Sequence, residues 1–392
     1  MTARADSTRL VATVALCTLA ATFANASTEK LLYSFPAGAY VVGRPDQDSK
    51  GALYGTAEDL DGFGAIFRLK QKNGIWSSKT LFDFNGNRGA YPWAGPLIDR
   101  TTNILYGTTI DGGNSGEGAV YSLAPAGRGW NQTVLHNFIG SDGAYPYGVL
   151  LKDKATGNLY GTTNYGATAN CGTAFQLSQS NGSWTFSTIY NFQGGGDACQ
   201  PFTPLRPGAK AGTLIGASSG AIFQLKESRG VWSDSIVHSF MGTDGANLWD
   251  LDASTDGSIY GVANTGGQYG DGLVFKLTPN LKNKYIYSVI YTFRGDPDGA
   301  YPVGINFDAA TGNLYGTTSR GGEGGHSVGT VFRLAPSGSS WTETVLHSFT
   351  AGPSDGAYPY SRPIVDRTTG ALYGTTTLGG VNNGGTVYMV QP

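Results

Sequence analysis

Charged residues are scarce in this sequence. Only 14% of its 392 residues are Asp, Glu, Lys or Arg, and the formal net charge at pH 7 is −2. Proteins that bind nucleic acids or anionic membranes usually carry a basic surface, so neither class is indicated. Cysteine and histidine are also rare, with three and four copies, and they do not have the spacing of a zinc site. We therefore expect no nucleic-acid partner, no cofactor and no metal.

Glycine and aromatic residues are abundant instead. The chain has 60 glycines, and 12% of its residues are Phe, Trp or Tyr. So much aromatic surface is typical of a folded chain rather than a disordered one. Many glycines combined with few charges favour short strands joined by tight turns. The composition therefore predicts an all-β protein.

Residues 1–26 have the order of a secretory signal peptide. Two arginines come first, an apolar run from Leu10 to Phe23 follows, and the segment ends in Ala24-Asn25-Ala26. This A-x-A ending predicts cleavage after Ala26. The apolar run is shorter than the ~20 residues that span a bilayer, although a retained signal anchor is the alternative. We expect a secreted or periplasmic bacterial protein, with no membrane insertion after cleavage.

A four-strand unit repeats along the rest of the chain. A step resembling Leu-Tyr-Gly recurs seven times, with glycines at Gly55, Gly107, Gly161, Gly216, Gly261, Gly316 and Gly374. We name the strands of one unit a to d. Strand b carries the Leu-Tyr-Gly step, strand c follows a glycine-rich loop, strand d ends in Phe, and strand a follows the next corner. Alternating polar and apolar residues in these segments indicate β-strands.

The order of these strands predicts a closed ring. The chain begins with one d strand at residues 29–35, continues with six complete units, and ends with a, b and c. This gives an all-β, seven-bladed β-propeller of four-stranded blades, with the N-terminal strand completing the last blade. The alternative is a linear solenoid, but a solenoid would not need the four strands of one unit to be divided between the two ends of the chain. We expect one domain, residues 27–392, with blades at residues 38–84, 89–138, 143–192, 195–240, 244–293, 298–349, and 355–392 plus 29–35.

Two motifs carry a family resemblance. The units A-Y-P-x8-D-x3-G-N-L-Y-G-T-T and G-G-x-G-T-V-F-R-L-A-P-S-G resemble the GloVer (Gloeo/Verruco) tandem repeat, of the choice-of-anchor type of exported protein. The resemblance covers nearly all of residues 29–392 and implies export and a repeat architecture. It implies no activity and no catalytic residues. Because the sequence ends in Gln391-Pro392 without a sorting tail, we expect no C-terminal anchor.

Aromatic residues at the corners between strands d and a are the candidate ligand-binding residues. Propellers usually bind ligands on the face where these corners and the loops between strands b and c emerge. One set of rings comprises Tyr91, Tyr145, Tyr301 and Tyr358. A second set lies two residues further on and comprises Trp93, Tyr147, Trp249 and Tyr360, with Phe202 after a one-residue insertion. Such rings stack on sugar faces, so we expect a glycan or a cell-surface protein as partner. The alternative is packing between neighbouring blades.

Three corner aspartates are the catalytic candidates. Asp142, Asp298 and Asp355 each precede Gly-Ala, and at the channel mouth they would suit a hydrolase or lyase acting on extracellular polysaccharide. These aspartates recur from blade to blade without an additional acid or base beside them, so a binding module is favoured over an enzyme. We expect this module to be a monomer. Scaffolding without a small ligand is a third alternative.

Two cysteines of the propeller region are expected to pair. Cys171 ends the b-to-c loop of the third blade, and Cys199 lies at the corner entering the fourth. Both positions are on the same face of neighbouring blades, and an exported protein meets an oxidising environment. The sequence therefore predicts a Cys171–Cys199 disulfide.

Overall fold

The computed structural model describes residues 27–281 and 284–392. The predicted signal peptide lies outside the described residues. In these ranges the secondary structure consists of thirty β-strands and two short 3-10 turns, Leu60–Gly62 and Glu323–Gly325. No helix in the described part of the chain has the length and apolar character needed to cross a membrane.

Seven antiparallel sheets of four strands are arranged as a seven-bladed β-propeller, which confirms the predicted number of blades and of strands in each blade. The outermost strand of blade 7 comes from the start of the described chain and is β1 (Thr28–Ser34). Blade 1 contains β2 (Asp46–Gln47), β3 (Leu53–Ala57), β4 (Ala65–Lys72) and β5 (Ile75–Asp83). Blade 2 contains β6 (Leu97–Asp99), β7 (Ile104–Thr109), β8 (Ala119–Ala126) and β9 (Gly129–Asn137). Blade 3 contains β10 (Leu151–Lys152), β11 (Leu159–Thr163), β12 (Thr173–Ser180) and β13 (Ser183–Asn191).

The remaining blades follow the same order. Blade 4 contains β14 (Arg206–Pro207), β15 (Thr213–Ala217), β16 (Ala221–Ser228) and β17 (Val231–Ser239). Blade 5 contains β18 (Ala246–Ala253), β19 (Ile259–Thr265), β20 (Leu273–Pro279) and β21 (Tyr285–Thr292). Blade 6 contains β22 (Ala300–Phe307), β23 (Leu314–Arg320), β24 (Thr330–Ser337) and β25 (Ser340–Ser348). Blade 7 contains β27 (Ile364–Val365), β28 (Leu372–Thr376) and β30 (Thr386–Gln391) besides β1, and β26 (Gly356–Ala357) pairs separately with β29 (Leu378–Gly379).

Strand β1 lies antiparallel to the last strand of the chain. Thr28 is opposite Gln391 and Ser34 is opposite Thr386, with one irregularity between Leu31 and Tyr33. The two ends of the described chain therefore share one sheet.

Aromatic packing inside and between blades explains the repeated glycine. A side-chain carbon at Gly55 would lie 2.4 Å from the ring of Phe67 on the neighbouring strand, so the ring requires glycine there. Phe138, which follows the outer strand of blade 2, packs against Phe175 of blade 3 with centroids 5.3 Å apart. Such contacts bury apolar surface between neighbouring blades, which stabilises the ring of blades.

In the corner entering each blade, the same position is held by a non-glycine residue with positive φ. These residues are Tyr40, Tyr91, Tyr145, Gln200, Asn247, Tyr301 and Tyr358, with φ between 45° and 57°. The backbone N–H of Tyr91 donates to the carbonyl of Phe63 in the preceding blade at 2.8 Å, and Gln200 donates equivalently to Cys171. Gln200 therefore occupies the tyrosine position of blade 4. The expected one-residue insertion before Phe202 is wrong, because Phe202 lies two residues beyond this position, as in the other blades.

Candidate functional site

A cavity of about 80 Å³ lies in the central channel, where the innermost strands begin. All seven blades line it with the residue two positions after the positive-φ corner residue. These residues are Val42, Trp93, Tyr147, Phe202, Trp249, Val303 and Tyr360. The structure thus brings the second set of candidate rings together around one opening.

The five rings form a continuous series, which we call the aromatic rim: Trp93, Tyr147, Phe202, Trp249 and Tyr360. Neighbouring ring centroids are 6.0, 5.2, 5.4 and 5.7 Å apart in that order. All four contacts are tilted or edge-to-face, a favourable geometry for aromatic pairs. Each ring also stays partly exposed. The aromatic rim therefore presents apolar surface to anything that enters the cavity.

The first set of candidate tyrosines does not line this cavity. Tyr301 is 37% exposed, and Tyr145 packs edge-on against Tyr165 at 6.0 Å. The guanidinium of Arg320 lies 4.8 Å from the ring centroid of Tyr358. The backbone of these tyrosines forms the corners that join neighbouring blades, and their rings lie on the surrounding face. The two sets therefore occupy different places.

Below the aromatic rim, the repeat is broken by charged residues. Asp46, Arg206 and Asp252 lie opposite the residue in the tyrosine position of Leu-Tyr-Gly in strand b. The other blades have uncharged residues at this register, namely Leu97, Leu151, Asn306 and Ile364. Arg44, Asp250 and Arg362 line the cavity together with Arg206. We call Arg44, Arg206, Asp250, Asp252 and Arg362 the charged cluster.

Four members of the charged cluster form an ion-pair network. Arg362 of blade 7 reaches Asp252 of blade 5 at 2.8 Å and Asp250 at 3.8 Å. Arg206 of blade 4 lies 3.5 Å from Asp252 and 3.6 Å from Asp250. Gly304 of blade 6 permits this approach, because a side-chain carbon there would lie 2.3 Å from the backbone nitrogen of Arg362.

The two carboxyl groups of this network respond differently to their surroundings. Burial alone would raise the pKa of Asp252, but Arg362 and Arg206 more than offset it, and the pKa falls below its ordinary value. At Asp250 burial outweighs the same two arginines, so its pKa is raised. Asp252 is therefore the more firmly ionised partner of the two arginines.

Arg44 is the unpaired member of the charged cluster. Among the described residues its side chain has no ion pair or hydrogen bond, and its Nε atom is buried without a partner. Asp46, two residues further on, instead lies 2.6 Å from Arg100 and accepts the backbone N–H of Ile98. Burial, followed by the charge of Arg362, lowers the pKa of Arg44 to about 9, which leaves the guanidinium charged at neutral pH.

The aspartates predicted at the channel mouth lie elsewhere, so this placement is wrong. Asp142 and Asp355 contact His136 and His347 at 2.9 and 3.0 Å, and Asp298 accepts the hydroxyl of Tyr291 at 2.8 Å. Each also accepts a backbone N–H of its own turn. The reason is that these aspartates follow the outermost strand, and the chain crosses the whole blade before it reaches the channel.

The histidines stay on separate blades, because their strands lie at different parts of the outer edge. One group in the described residues could geometrically hold a metal: Glu29, His347 and Asp355, whose ligand atoms all lie within 4.8 Å of one another. Blades 2 and 4 have equivalent His–Asp contacts, His136–Asp142 and His238–Asp244, with no third ligand group among the residues that the structure describes. The repeated His–Asp contact therefore links the end of strand d to the corner that follows it in the same blade.

Two further acids lie on the face that carries the aromatic rim. Glu58 and Asp111 follow strand b in blades 1 and 2. Burial raises the pKa of the Tyr147 phenol, and the negative charges of both acids add to this rise. Burial, with Asp59 and Asp111 adding to it, raises the pKa of Glu58 to about 7. Burial also raises the pKa of Asp111. A carboxyl group that is partly protonated near neutral pH can exchange protons with a ligand.

Sequence reasoning missed the charged cluster and Glu58. A position-by-position comparison of the seven units contains the signal, since Arg44 and Arg362 are charged where Gly95 and Gly304 stand in other blades. A residue that breaks a repeat is not needed for the shared fold. It is therefore a better candidate for function than a residue that the repeat maintains.

The predicted disulfide is confirmed. Cys171 and Cys199 are bonded with an S–S distance of 2.05 Å and a Cα–Cα distance of 4.4 Å. The bond joins the b-to-c loop of blade 3 to the corner that enters blade 4. It therefore holds two blades together beside the face that carries the aromatic rim.

A family model for the Gloeobacter/Verrucomicrobia repeat matches residues 20–220 and 216–392. The chain belongs to this repeat family. The match confirms the resemblance of the repeated motifs to this tandem repeat. No curated protein matches the chain.

Solved structures share the propeller architecture. The chain is similar to hydrazine synthase of Kuenenia stuttgartiensis, with 12% identity, a TM-score of 0.59, and coverage of 91% of this chain and 97% of that one. A putative 6-phosphogluconolactonase from Bacteroides uniformis has 15% identity and a TM-score of 0.51, covering 85% of this chain and 87% of that one. At such identities the likeness shows the fold alone.

Proposed function

We propose that this protein is an exported propeller that binds carbohydrate in the cavity at the mouth of its central channel. The observation that carries the proposal is the aromatic rim, in which rings from five blades converge on one opening. Sugars have apolar C–H faces that stack on such rings. The Cys171–Cys199 disulfide supports an oxidising compartment, as expected for an exported protein.

The chemistry around the cavity supports a small polar ligand rather than a protein partner. The partly exposed rings lie above guanidinium and carboxylate groups, so apolar contacts and hydrogen bonds are available within one cavity. Ligand pockets typically combine an apolar lining with a few polar groups that fix orientation. A protein surface needs a broad contact of roughly 800 Å² per partner, which a small concave opening does not supply.

Glycan binding with and without the aromatic rim tests this proposal. A glycan-array screen of the chain without residues 1–26 should give hits, and calorimetric titration should show that Trp93→Ala and Trp249→Ala weaken binding about tenfold or more. Trp184→Ala is the matched control, because Trp184 lies on the outer strand β13, against Tyr106. Unchanged affinity in both rim variants, or no hit on the array, contradicts the proposal.

A second candidate function is catalysis on an extracellular polysaccharide, as a hydrolase or lyase. The observation that favours it is Glu58, whose carboxyl group has a pKa of about 7 beside Asp111 on the same face. General acids work best with a pKa near the operating pH. Product analysis on each array hit distinguishes the two functions. An enzyme would release product, and Glu58→Gln would abolish release while the glycan still binds.

A further inference from the structure

We infer that the saccharide taken by this cavity carries a carboxylate, and that Arg44 is the residue that binds it. The inference rests on the proposed carbohydrate function and adds the chemical class of the ligand. It starts from the charges below the aromatic rim. The charged cluster contains three guanidinium groups, Arg44, Arg206 and Arg362, but only two carboxylates, Asp250 and Asp252. The neighbouring carboxylate of Asp46 forms its ion pair with Arg100, outside the cluster.

The two carboxylates are already shared by two of the arginines. Arg206 and Arg362 each contact both Asp250 and Asp252. Their remaining contacts are with the protein backbone: Arg206 donates to the carbonyl of Leu251 at 2.6 Å, and Arg362 donates to that of Ile305 at 3.2 Å. These two guanidinium groups are therefore held by the fold, and Arg44 is the cation that has no ion pair or hydrogen bond among the described residues.

An unpaired guanidinium in this position favours an anion over a neutral group. A buried charge without a hydrogen-bonded partner is unfavourable. The like charges of Arg362 and Arg206 add to the cost at Arg44, and the charges of Asp46 and Asp250 offset only part of it, since the pKa of Arg44 is lowered on balance. A bound anion removes this cost, whereas a neutral sugar hydroxyl only replaces water. Guanidinium binds carboxylate through two parallel hydrogen bonds, which makes it a specific receptor for that group.

The aromatic rim indicates what carries the carboxylate. Arg44 lines the same cavity as Trp93 and Tyr360, so one ligand can contact rings and guanidinium together. An inorganic anion would use the guanidinium and leave the partly exposed rings without a role. A uronic acid has both parts, a pyranose ring with apolar faces and a carboxylate on its edge. Oligosaccharides of uronic acids are therefore the expected ligands.

Paired probes test this inference. Tetramers of galacturonate, glucuronate and mannuronate are titrated calorimetrically, each beside its methyl ester, which has the same sugar chain without the charge. We expect at least one acidic tetramer to bind about 10- to 100-fold more tightly than its ester, the range for a hydrogen-bonded charge. Arg44→Leu should reduce the affinity for the acid to that for the ester and leave ester binding unchanged.

A matched variant controls for general loss of positive charge. Arg128 is exposed on the turn between β8 and β9, and Arg128→Leu should bind the acidic tetramer as the wild type does. Thermal unfolding of both variants establishes that they are folded. Increasing salt should weaken binding of the acid and not of the ester, because only the acid carries a charge.

The outcomes separate this inference from the proposed function. If no acidic tetramer binds better than its ester, or if Arg44→Leu retains wild-type affinity for the acid, the inference is overturned. Neutral glycan hits that depend on Trp93 would leave the carbohydrate function standing in that case. If no saccharide on the array binds at all, the proposed function fails and the inference fails with it.

Discussion

His136 and Phe186 stack face to face across the junction of blades 2 and 3, with ring centroids 3.5 Å and planes 3° apart. His238 and Tyr287 repeat this contact at 4.0 Å between blades 4 and 5. Between blades 6 and 7, Glu29 holds the register position that Phe186 holds in blade 3. Glu343 holds the same position in blade 6. This position is thus aromatic in blades 3 and 5 and acidic in blades 6 and 7.

Carboxyl groups at such junctions make stability depend on pH. Burial, together with Asp298, raises the pKa of Glu343 to about 8. Burial also raises that of Glu29 to about 7, with His347 opposing and Asp355 adding to the shift. A carboxyl group with a raised folded-state pKa binds more protons in the folded state than in the unfolded state. Stability therefore falls as the pH rises from about 4.5 to about 8.

We predict that Glu343→Gln makes the folded protein less sensitive to pH. Glutamine resembles the protonated acid, so the variant should match the wild type at pH 5 and have a higher melting temperature at pH 9. Calorimetric melting temperatures between these pH values provide the measurement. Glu323→Gln, a change at an exposed acid, should follow the wild type. Parallel curves for Glu343→Gln and the wild type would contradict the prediction.

Removal of the disulfide should lower stability without changing the fold. The bond closes a loop with a sequence separation of 28 residues, for which the chain-entropy model gives roughly 3 to 4 kcal/mol. Urea unfolding of the Cys171→Ser, Cys199→Ser double variant should show this loss, and the double variant should be insensitive to reductant. Two free thiols in denatured, unreduced protein without residues 1–26 would show that the bond does not form.

A methyl group on the Leu-Tyr-Gly glycine should destabilise a blade. Alanine at Gly55 would place a carbon 2.4 Å from the ring of Phe67, and overpacking of a core usually costs about 1–3 kcal/mol. Gly220→Ala is the matched control, because nothing lies within 4 Å of the added carbon and the backbone is not left-handed. Equal unfolding free energies for the two variants would contradict this account of the repeat.

The sequence predicted the parts of the molecule that the repeat itself encodes. Seven copies of Leu-Tyr-Gly and of the d-strand Phe predict the blades, because each copy reports the same packing contact. The Cys171–Cys199 bond was predictable once both residues were assigned to neighbouring blades on one face. The second set of rings was found for the same reason, since its members share one position per blade.

The charged cluster depends on distances across the channel, which no repeat encodes. Arg362 and Asp252 are brought together by the closure of seven blades around one axis, with Gly304 permitting the approach. Asp142 was misplaced because it lies only a few residues before the corner tyrosine Tyr145. That short segment leads from the outer edge of the blade towards the channel, so nearness in sequence does not place the aspartate at the cavity.

Paired and unpaired arginines of the charged cluster should respond oppositely to removal. Arg206→Leu leaves Asp252 and Asp250 buried with one cation fewer, and breaking a buried pair usually costs about 3–5 kcal/mol. Arg44→Leu removes a cation that has no ion pair or hydrogen bond among the described residues and whose pKa is lowered on balance by its surroundings, so we expect unchanged or increased stability from it. Urea unfolding of both variants at pH 7 tests this contrast. A comparable loss in both variants would mean that Arg44 has a partner within the fold, and the case for a bound carboxylate would then fall.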